Sequence, residues 1–338
     1  MKKLEDYIPE RWISDKGSVN EYISCWTEKD ALDREVVDAL VVILRTSGCS
    51  WAREKGCTMC GYLSDCNPNV KGKDLVAQMR KALEKHQGQR ILKIFTSGSF
   101  LDEREVPVDV RREILSMASE IFDQVIFETR PEYVSDESLQ DCLSHIPNLQ
   151  VALGLESANN VLLRDSINKG FQFEDYQTAA NTVKESGATL KTYLLIKPPF
   201  LTENEAITDS IDSARMIQGI SDVISFNPVN VQKGTLVERL WRRGEYRPPW
   251  LWSVVKVLEE SKDFGPRVVS VPSGGGKRGG AHNCFDCDGD ILSSIEKFSL
   301  GLRGSIEDVH CDCKERWLDV LDLQGFTQSS VDLEKFYG

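Results

Sequence analysis

The 338-residue sequence lacks the marks of a membrane, secreted or nucleic-acid-coating chain. It has no run of about 18 apolar residues, the length a transmembrane helix needs. Its first residues are too acidic, and their apolar run too short, for a signal peptide; a cytoplasmic protein that does not engage a membrane is expected. Positive charge is scarce. Against 53 Asp and Glu stand 41 Lys and Arg, for a net charge of −12. That balance argues against a basic field over the whole surface, but not against a locally basic face. There is no internal repeat and no long low-complexity tract. A composition of 41% hydrophobic and 28% charged residues argues against long disorder. Cysteine is plentiful, with ten residues. In a reducing compartment these serve as metal ligands, catalytic groups or small buried side chains rather than disulfides.

Short apolar, β-branched runs recur at 39–44, 91–95, 124–127, 150–155, 190–196 and 223–226. Amphipathic stretches with three- and four-residue spacing lie between them, at 74–85, 109–122, 137–144, 173–185 and 203–218. Six β/α units in series predict an α/β fold with a parallel sheet, doubly wound or curled into a full or partial barrel. In either form the site belongs at the carboxyl ends of the strands. Polar residues gather there: Cys49, then Ser97-Gly98-Ser99, Glu128-Thr129-Arg130-Pro131, Glu156-Ser157, Lys197-Pro198-Pro199 and Asn227-Pro228. The organisation expected is an extension over 1–37, the barrel over 38–245, and a C-terminal region over 246–338. The glycine-rich segment 273–280 reads as a flexible loop.

Cys49, Cys57 and Cys60 are spaced by seven and by two residues. Three thiolates hold three corners of a [4Fe–4S] cluster and leave one iron open for a small molecule. A zinc site completed by Cys66 is the alternative from spacing alone. The position after the first strand of the βα array favours a catalytic cofactor. Cys25, Cys66 and Cys142 stand alone and read as buried or incidental thiols.

The loop Cys49-Ser50-Trp51-Ala52-Arg53-Glu54-Lys55-Gly56-Cys57-Thr58-Met59-Cys60-Gly61-Tyr62 resembles the cluster loop of radical S-adenosylmethionine (SAM) enzymes, in the branch of the elongator catalytic subunit. Phe127-Glu128-Thr129-Arg130-Pro131-Glu132-Tyr133-Val134 is similar to that branch's third-strand motif. Leu153-Gly154-Leu155-Glu156-Ser157, with Asn168-Lys169-Gly170, is similar to its fourth. Leu194-Leu195-Ile196-Lys197-Pro198-Pro199-Phe200 takes the place of its fifth, and the segment from Asn227 to Thr235 resembles its sixth. The resemblance spans roughly 38–240. Within the branch, the cysteine loop and Thr96-Ser97-Gly98-Ser99-Phe100-Leu101-Asp102 look most like the radical SAM enzyme of archaeosine formation. Two departures stand out: Met59 occupies a position often aromatic, and Lys197 one that is often glycine.

The resemblance implies a partial (β/α)6 TIM-like radical SAM barrel with a small C-terminal metal-binding module. It implies a lyase acting on tRNA, cleaving a C–N bond in a lysine adduct of 7-cyano-7-deazaguanine in the D-arm, to leave the formamidine of archaeosine. The implied partners are that tRNA, a lysine-transferring tRNA-guanine transglycosylase homologue and an electron donor. Cys49, Cys57 and Cys60 would hold the cluster. Tyr62, Ser97, Gly98, Ser99, Glu128, Arg130, Glu156 and Asn227 would contact SAM, with Glu128 and Arg130 alternatively paired to each other. Another radical SAM reaction of the same branch, and a non-catalytic metal-stabilised RNA-binding module, are the competing readings.

Cys284, Cys287, Cys311 and Cys313 form a second group. Four such thiols can close a tetrahedral site on Zn2+, with His282 or His310 as possible substitutes and an auxiliary iron–sulfur cluster as the rival. Arg239, Arg242, Arg243 and Arg247, near Lys233 and interleaved with Trp241, Tyr246 and Trp250, make the densest basic segment. It reads either as an RNA contact or as an exposed helix end with a packed tryptophan. Lys277 and Arg278 in the glycine loop are further candidates to clamp RNA.

Overall fold

The computed structural model describes residues 4–9, 17–306 and 309–327. The rest of the 1–37 extension and of the 246–338 region lies outside the described residues. One eight-stranded sheet runs in chain order: β1 (Ser24–Leu32), β2 (Glu35–Ile43), β3 (Ile91–Phe95), β4 (Gln124–Thr129), β5 (Leu149–Glu156), β6 (Thr189–Ile196), β7 (Val223–Pro228) and β8 (Arg267–Ser270). β1 pairs antiparallel with β2, and every later pair is parallel. The six expected strands are all present, as β2 to β7. β1 and β8 extend the sheet beyond them on either side.

The β1–β2 hairpin turns on Asp33 and Arg34, whose φ angles of 51° and 67° are the left-handed pair that a tight hairpin requires. The helices are α1 (Ser50–Glu54), α2 (Gly72–Leu83), α3 (Val108–Ser119), α4 (Asp136–His145), α5 (Asn160–Leu162), α6 (Phe173–Ser186), α7 (Glu203–Ile217), α8 (Leu236–Arg242), α9 (Leu251–Ser261), α10 (Asp288–Ser299) and α11 (Cys313–Thr327). A π turn, Leu163–Ile167, follows α5. α4 and α7 start on side-chain caps, Ser135 and Thr202. Thr202, for instance, accepts the N–H of Glu205, whose carboxylate accepts the N–H of Thr202. Alternate strand residues, such as Leu92, Ile94, Val125, Phe127, Val151 and Leu153, face outward into the main core under the helices.

The sheet curls without closing. β1 and β8 are its edges, and they meet through charge rather than a ladder: Arg267 of β8 bonds the Asp30 carboxylate at 2.9 Å and the Ala31 carbonyl at 3.2 Å. Both groups sit at the amino end of the parallel strands. Lys93 of β3 adds ion pairs of 2.6 Å to Glu28 and to Asp30. Burial opposes ionisation of Asp30, but Lys93, Lys191 and Arg267 outweigh it and hold the carboxyl well below its usual range. A charged floor thus closes one end of the half-barrel and leaves the carboxyl end open.

Beyond β7 the chain packs onto the same core through α9, α10 and Trp317. The joint is a buried ion pair. Lys197 bonds Glu203 at 2.6 Å, and Glu203 also accepts the Trp250 N–H and the Ser253 hydroxyl at the start of α9. Lys197, with φ at 63°, is therefore a packing residue in this fold. Glu203→Ala should strip that ammonium of its partner and cost about 3–5 kcal/mol in chemical denaturation. Joint replacement by Lys197→Met and Glu203→Gln should recover much of the loss. A loss from Glu203→Ala within about 0.5 kcal/mol, as for a plain surface change, would show that the pair does not tie the joint.

Candidate functional site

The cysteine loop lies across the open end of the barrel, and most of its ties are to other strand ends. Cys49 precedes α1. A Cβ at Gly98 would come within 2.7 Å of the Cys49 Cα, so only glycine lets the β3 end pass beneath it. Ser50 donates to Asp102 at 2.5 Å, and Trp51 Nε1 to the Asn168 carbonyl at 2.8 Å. Asn168 returns a bond to the Gly56 carbonyl, and Thr58 donates to Ser166 O, both at 2.8 Å. The Gly61 N–H reaches Gln232 at 2.6 Å. The loop is thereby held by the segments after β3, β5 and β7.

Two cations face the thiols. Arg130 is buried beside Cys49 and Cys57, and those thiols with Glu132 hold its charge on against burial. Its guanidinium donates to the Lys169 carbonyl at 3.0 Å and lies over the rings of Trp51 and Phe171. Lys169 stands beside Cys57 and pairs with Glu156 at 2.7 Å. Burial pushes the Cys49 thiol up, against the pull of Arg130. Cys66 takes no part: its sulfur turns to the Tyr62 carbonyl, and burial raises the thiol to about 12.

The remaining rim residues divide by role. Ser97 donates to the Tyr62 carbonyl at 3.4 Å. Ser99 is buried, and its hydroxyl accepts the Arg130 N–H at 3.0 Å. Glu128 does not pair with Arg130. It bonds Tyr193 and lies near Lys191, while burial raises its carboxyl to about 7. Asn227 accepts from Ser225 at 3.4 Å. Tyr62 is 50% exposed as a residue, yet its hydroxyl end is sunk beside Cys60, Glu128 and Gln232 and rises to about 12.

The second cysteine group converges tightly. Cys284 lies 3.7 Å from Cys287 and 3.6 Å from Cys311, and Cys287 lies 3.6 Å from Cys313, sulfur to sulfur. Four sulfurs about 2.3 Å from one tetrahedral ion stand about 3.8 Å apart, so this group fits a single metal ion. Among the described residues, it is the group whose candidate ligand atoms all fall within 4.8 Å. Trp252 and Asn283 donate to the Cys313 and Cys287 sulfurs, as outer partners of metal ligands do. His282 instead bonds the Gly280 carbonyl and stacks on Phe285.

No family model matches the chain. It is 42% identical over 325 residues to the archaeosine synthase subunit beta of Methanosarcina acetivorans, across 93% of this chain and 94% of that protein. It is 40% identical over 306 residues to the subunit of the same name from Thermococcus kodakarensis, across 86% and 94%. The chain belongs to the archaeosine synthase subunit beta family. Among solved structures, an archaeal Elp3 from Methanocaldococcus infernus with an N-terminal deletion matches 69% of this chain and 59% of its own, at 20% identity and a TM-score of 0.48. No helix among the described residues is long and apolar enough to cross a membrane.

Three expectations for this family member need correction. The 273–280 segment is a run of hydrogen-bonded turns, with bonds such as Gly276 N–H to Ala281 O and Val231 N–H to Gly279 O. Tyr246 is buried and donates to the Lys197 carbonyl at 2.8 Å. Arg247 lies over Trp250 at 4.2 Å and donates to the His282 and Pro248 carbonyls, so neither residue faces an RNA. Sequence reading also missed Trp51, Asp102 and Lys169 as supports of the cysteine loop. Gly170 is the sharpest test of that support. Its φ is +83°, and an added Cβ would sit 2.7–2.9 Å from the Trp51 ring. Gly170→Ala should cost about 1–3 kcal/mol and shift Trp51 fluorescence. Unchanged melting and emission would show that the loop is not held there.

Proposed function

We propose that the chain is a radical SAM lyase that cleaves a C–N bond in the lysine adduct of 7-cyano-7-deazaguanine in tRNA, leaving the formamidine of archaeosine. The observation that carries this reading is the loop of three thiols laid over the open end of the half-barrel, with Arg130 and Lys169 beside it. The donor set suits a [4Fe–4S] cluster: three thiols, buried countercharge, and a fourth nearby cysteine turned away. Cys49, Cys57 and Cys60 would hold it. When bound, the cluster and SAM supply one-electron reductive chemistry and hydrogen abstraction.

The chain's own residues do the rest. Ser97 and Gly98 offer polar groups to SAM beneath Cys49, and Glu156 and Asn227 line the same rim. Tyr62 stands at the mouth, half-exposed, where a base splayed from an RNA could stack. The charged floor shuts the far end and limits stray water and hydrogen donors. The four C-terminal thiols suit structural Zn2+, which would staple the start of α10 to the start of α11. The tRNA, a lysine-transferring transglycosylase homologue and an electron donor are the partners this chemistry needs.

The test is anaerobic turnover with SAM, dithionite and tRNA carrying the lysine adduct, read by mass spectrometry. 5′-Deoxyadenosine and archaeosine should both form, and Cys57→Ala should abolish both. 5′-Deoxyadenosine with unchanged tRNA would remove the substrate claim and favour another reaction of the same branch. Neither product from a fully loaded cluster would favour a binding module.

A further inference from the structure

Lys191 of β6 points into the barrel below the rim, where its charge bears on Asp30 and Glu128 without a direct bond to either. The parallel register stacks the interior in layers. Glu128, Ala152, Lys191, Val223 and Arg267 follow one another across β4 to β8, and Gly154, Tyr193, Ser225 and Val269 form the layer above. Barrel interiors are ordinarily filled by bulky branched side chains. Here Ala152 and Ser225 are small, and the space beside Gly154 is taken by the Glu156 and Lys169 side chains. Glu128, Lys191 and Tyr193 retain partial exposure although their strands lie in the middle of the sheet.

The interior cations are not equally satisfied. Lys93 pairs with Glu28 and Asp30, Arg267 with Asp30, and Lys169 with Glu156. Among the described residues, Lys191 makes no hydrogen bond or ion pair; Asp30, Glu28 and Glu128 act on it at longer range, and its ammonium lies 5.5 Å from the centre of the Tyr193 ring. Tyr193 and Glu128 are already bonded to each other. Burial, with Lys93 adding repulsion, lowers the Lys191 amine to about 8. The carboxylates around it are bonded elsewhere, Asp30 to Lys93 and Arg267 and Glu128 to Tyr193, and an ammonium away from bulk water without a direct partner is costly until an anion meets it. The cysteine loop lies at the end of the strands away from the Asp30–Arg267 floor, and the Glu28, Asp30 and Glu128 carboxylates around Lys191 disfavour a polyanion. The anion that fits is a single carboxylate on a slim chain.

We propose that Lys191 binds the carboxylate of an α-amino acid moiety inserted into the barrel from its open end. On the function proposed above, that moiety is the lysyl part of the tRNA adduct. SAM carries the same chemistry, but its carboxylate belongs at the cluster, above the Lys191 layer. Lys191 is a positioning and specificity residue in this scheme; it transfers no atom.

A cadaverine adduct, which matches the lysine adduct without the carboxylate, separates these cases. Wild-type enzyme should bind and turn over the cadaverine adduct roughly 10- to 100-fold less well, the range of one buried charge-assisted contact. Lys191→Met should lower kcat/KM for the lysine adduct by a similar factor. It should leave the cadaverine adduct unchanged and SAM affinity intact, and Lys191→Arg should keep part of the preference. Equal use of both adducts by wild type would overturn the proposal without any variant. An equal fall on both adducts would mark a structural role, and weakened SAM binding would move the contact to the cofactor; either outcome also overturns it. Absence of archaeosine from wild type on the lysine adduct would instead remove the underlying function.

Discussion

Thiols set in a desolvated rim beside buried cations are the constraint that organises this molecule. Burial raises the Cys49 thiol, so ionising it calls for positive neighbours. Arg130 and Lys169 supply them, and each is itself pinned. Arg130 is held by Glu132, the Lys169 carbonyl and two aromatic faces. Lys169 is held by Glu156. The segments after β4 and β5 thus exist as much to place two cations as to connect strands.

The half-barrel answers the same need from below. Arg267, Asp30, Lys93 and Glu28 draw the sheet edges together at the amino end, opposite the cysteine loop. The cysteine loop spans the open end, and Tyr62 flanks it. The C-terminal cysteines lie outside this arrangement. They converge on one point against Trp252 of α9, and α9 returns to the barrel through Glu203 and Lys197. One cysteine group can therefore serve chemistry while the other serves architecture.

Much of this was legible in the sequence, for physical reasons. The six apolar runs that became β2 to β7 are buried on both faces, so their composition betrays them. β1, with the sequence SCWTEKDAL, is a polar edge strand and carries no such signal. β8 has only four residues. The cysteine spacings pointed to the C-terminal group, whose two close pairs, Cys284/Cys287 and Cys311/Cys313, the fold brings together. Partner choice was not legible. Glu128 turned to Tyr193 rather than to Arg130, and Arg247 turned inward to Trp250. Lys191 passed unnoticed within an apolar run, since a single lysine in a strand shows its role only once register sets it inside the barrel. The glycines at 274–280 suggested flexibility, whereas a Cβ at Gly280 would lie 2.1 Å from the Gly274 carbonyl oxygen. Gly275 and Gly280 are there for close packing, and Gly274 and Gly276 for their positive φ.

The most direct test is metal analysis with electron paramagnetic resonance of the full chain, reconstituted without oxygen and reduced, before and after addition of SAM. The account predicts about four irons and about one zinc per chain. It also predicts a reduced-cluster signal that changes when SAM binds, and loss of iron but not zinc in Cys57→Ala. Zinc with no iron, or a cluster signal indifferent to SAM, would contradict it.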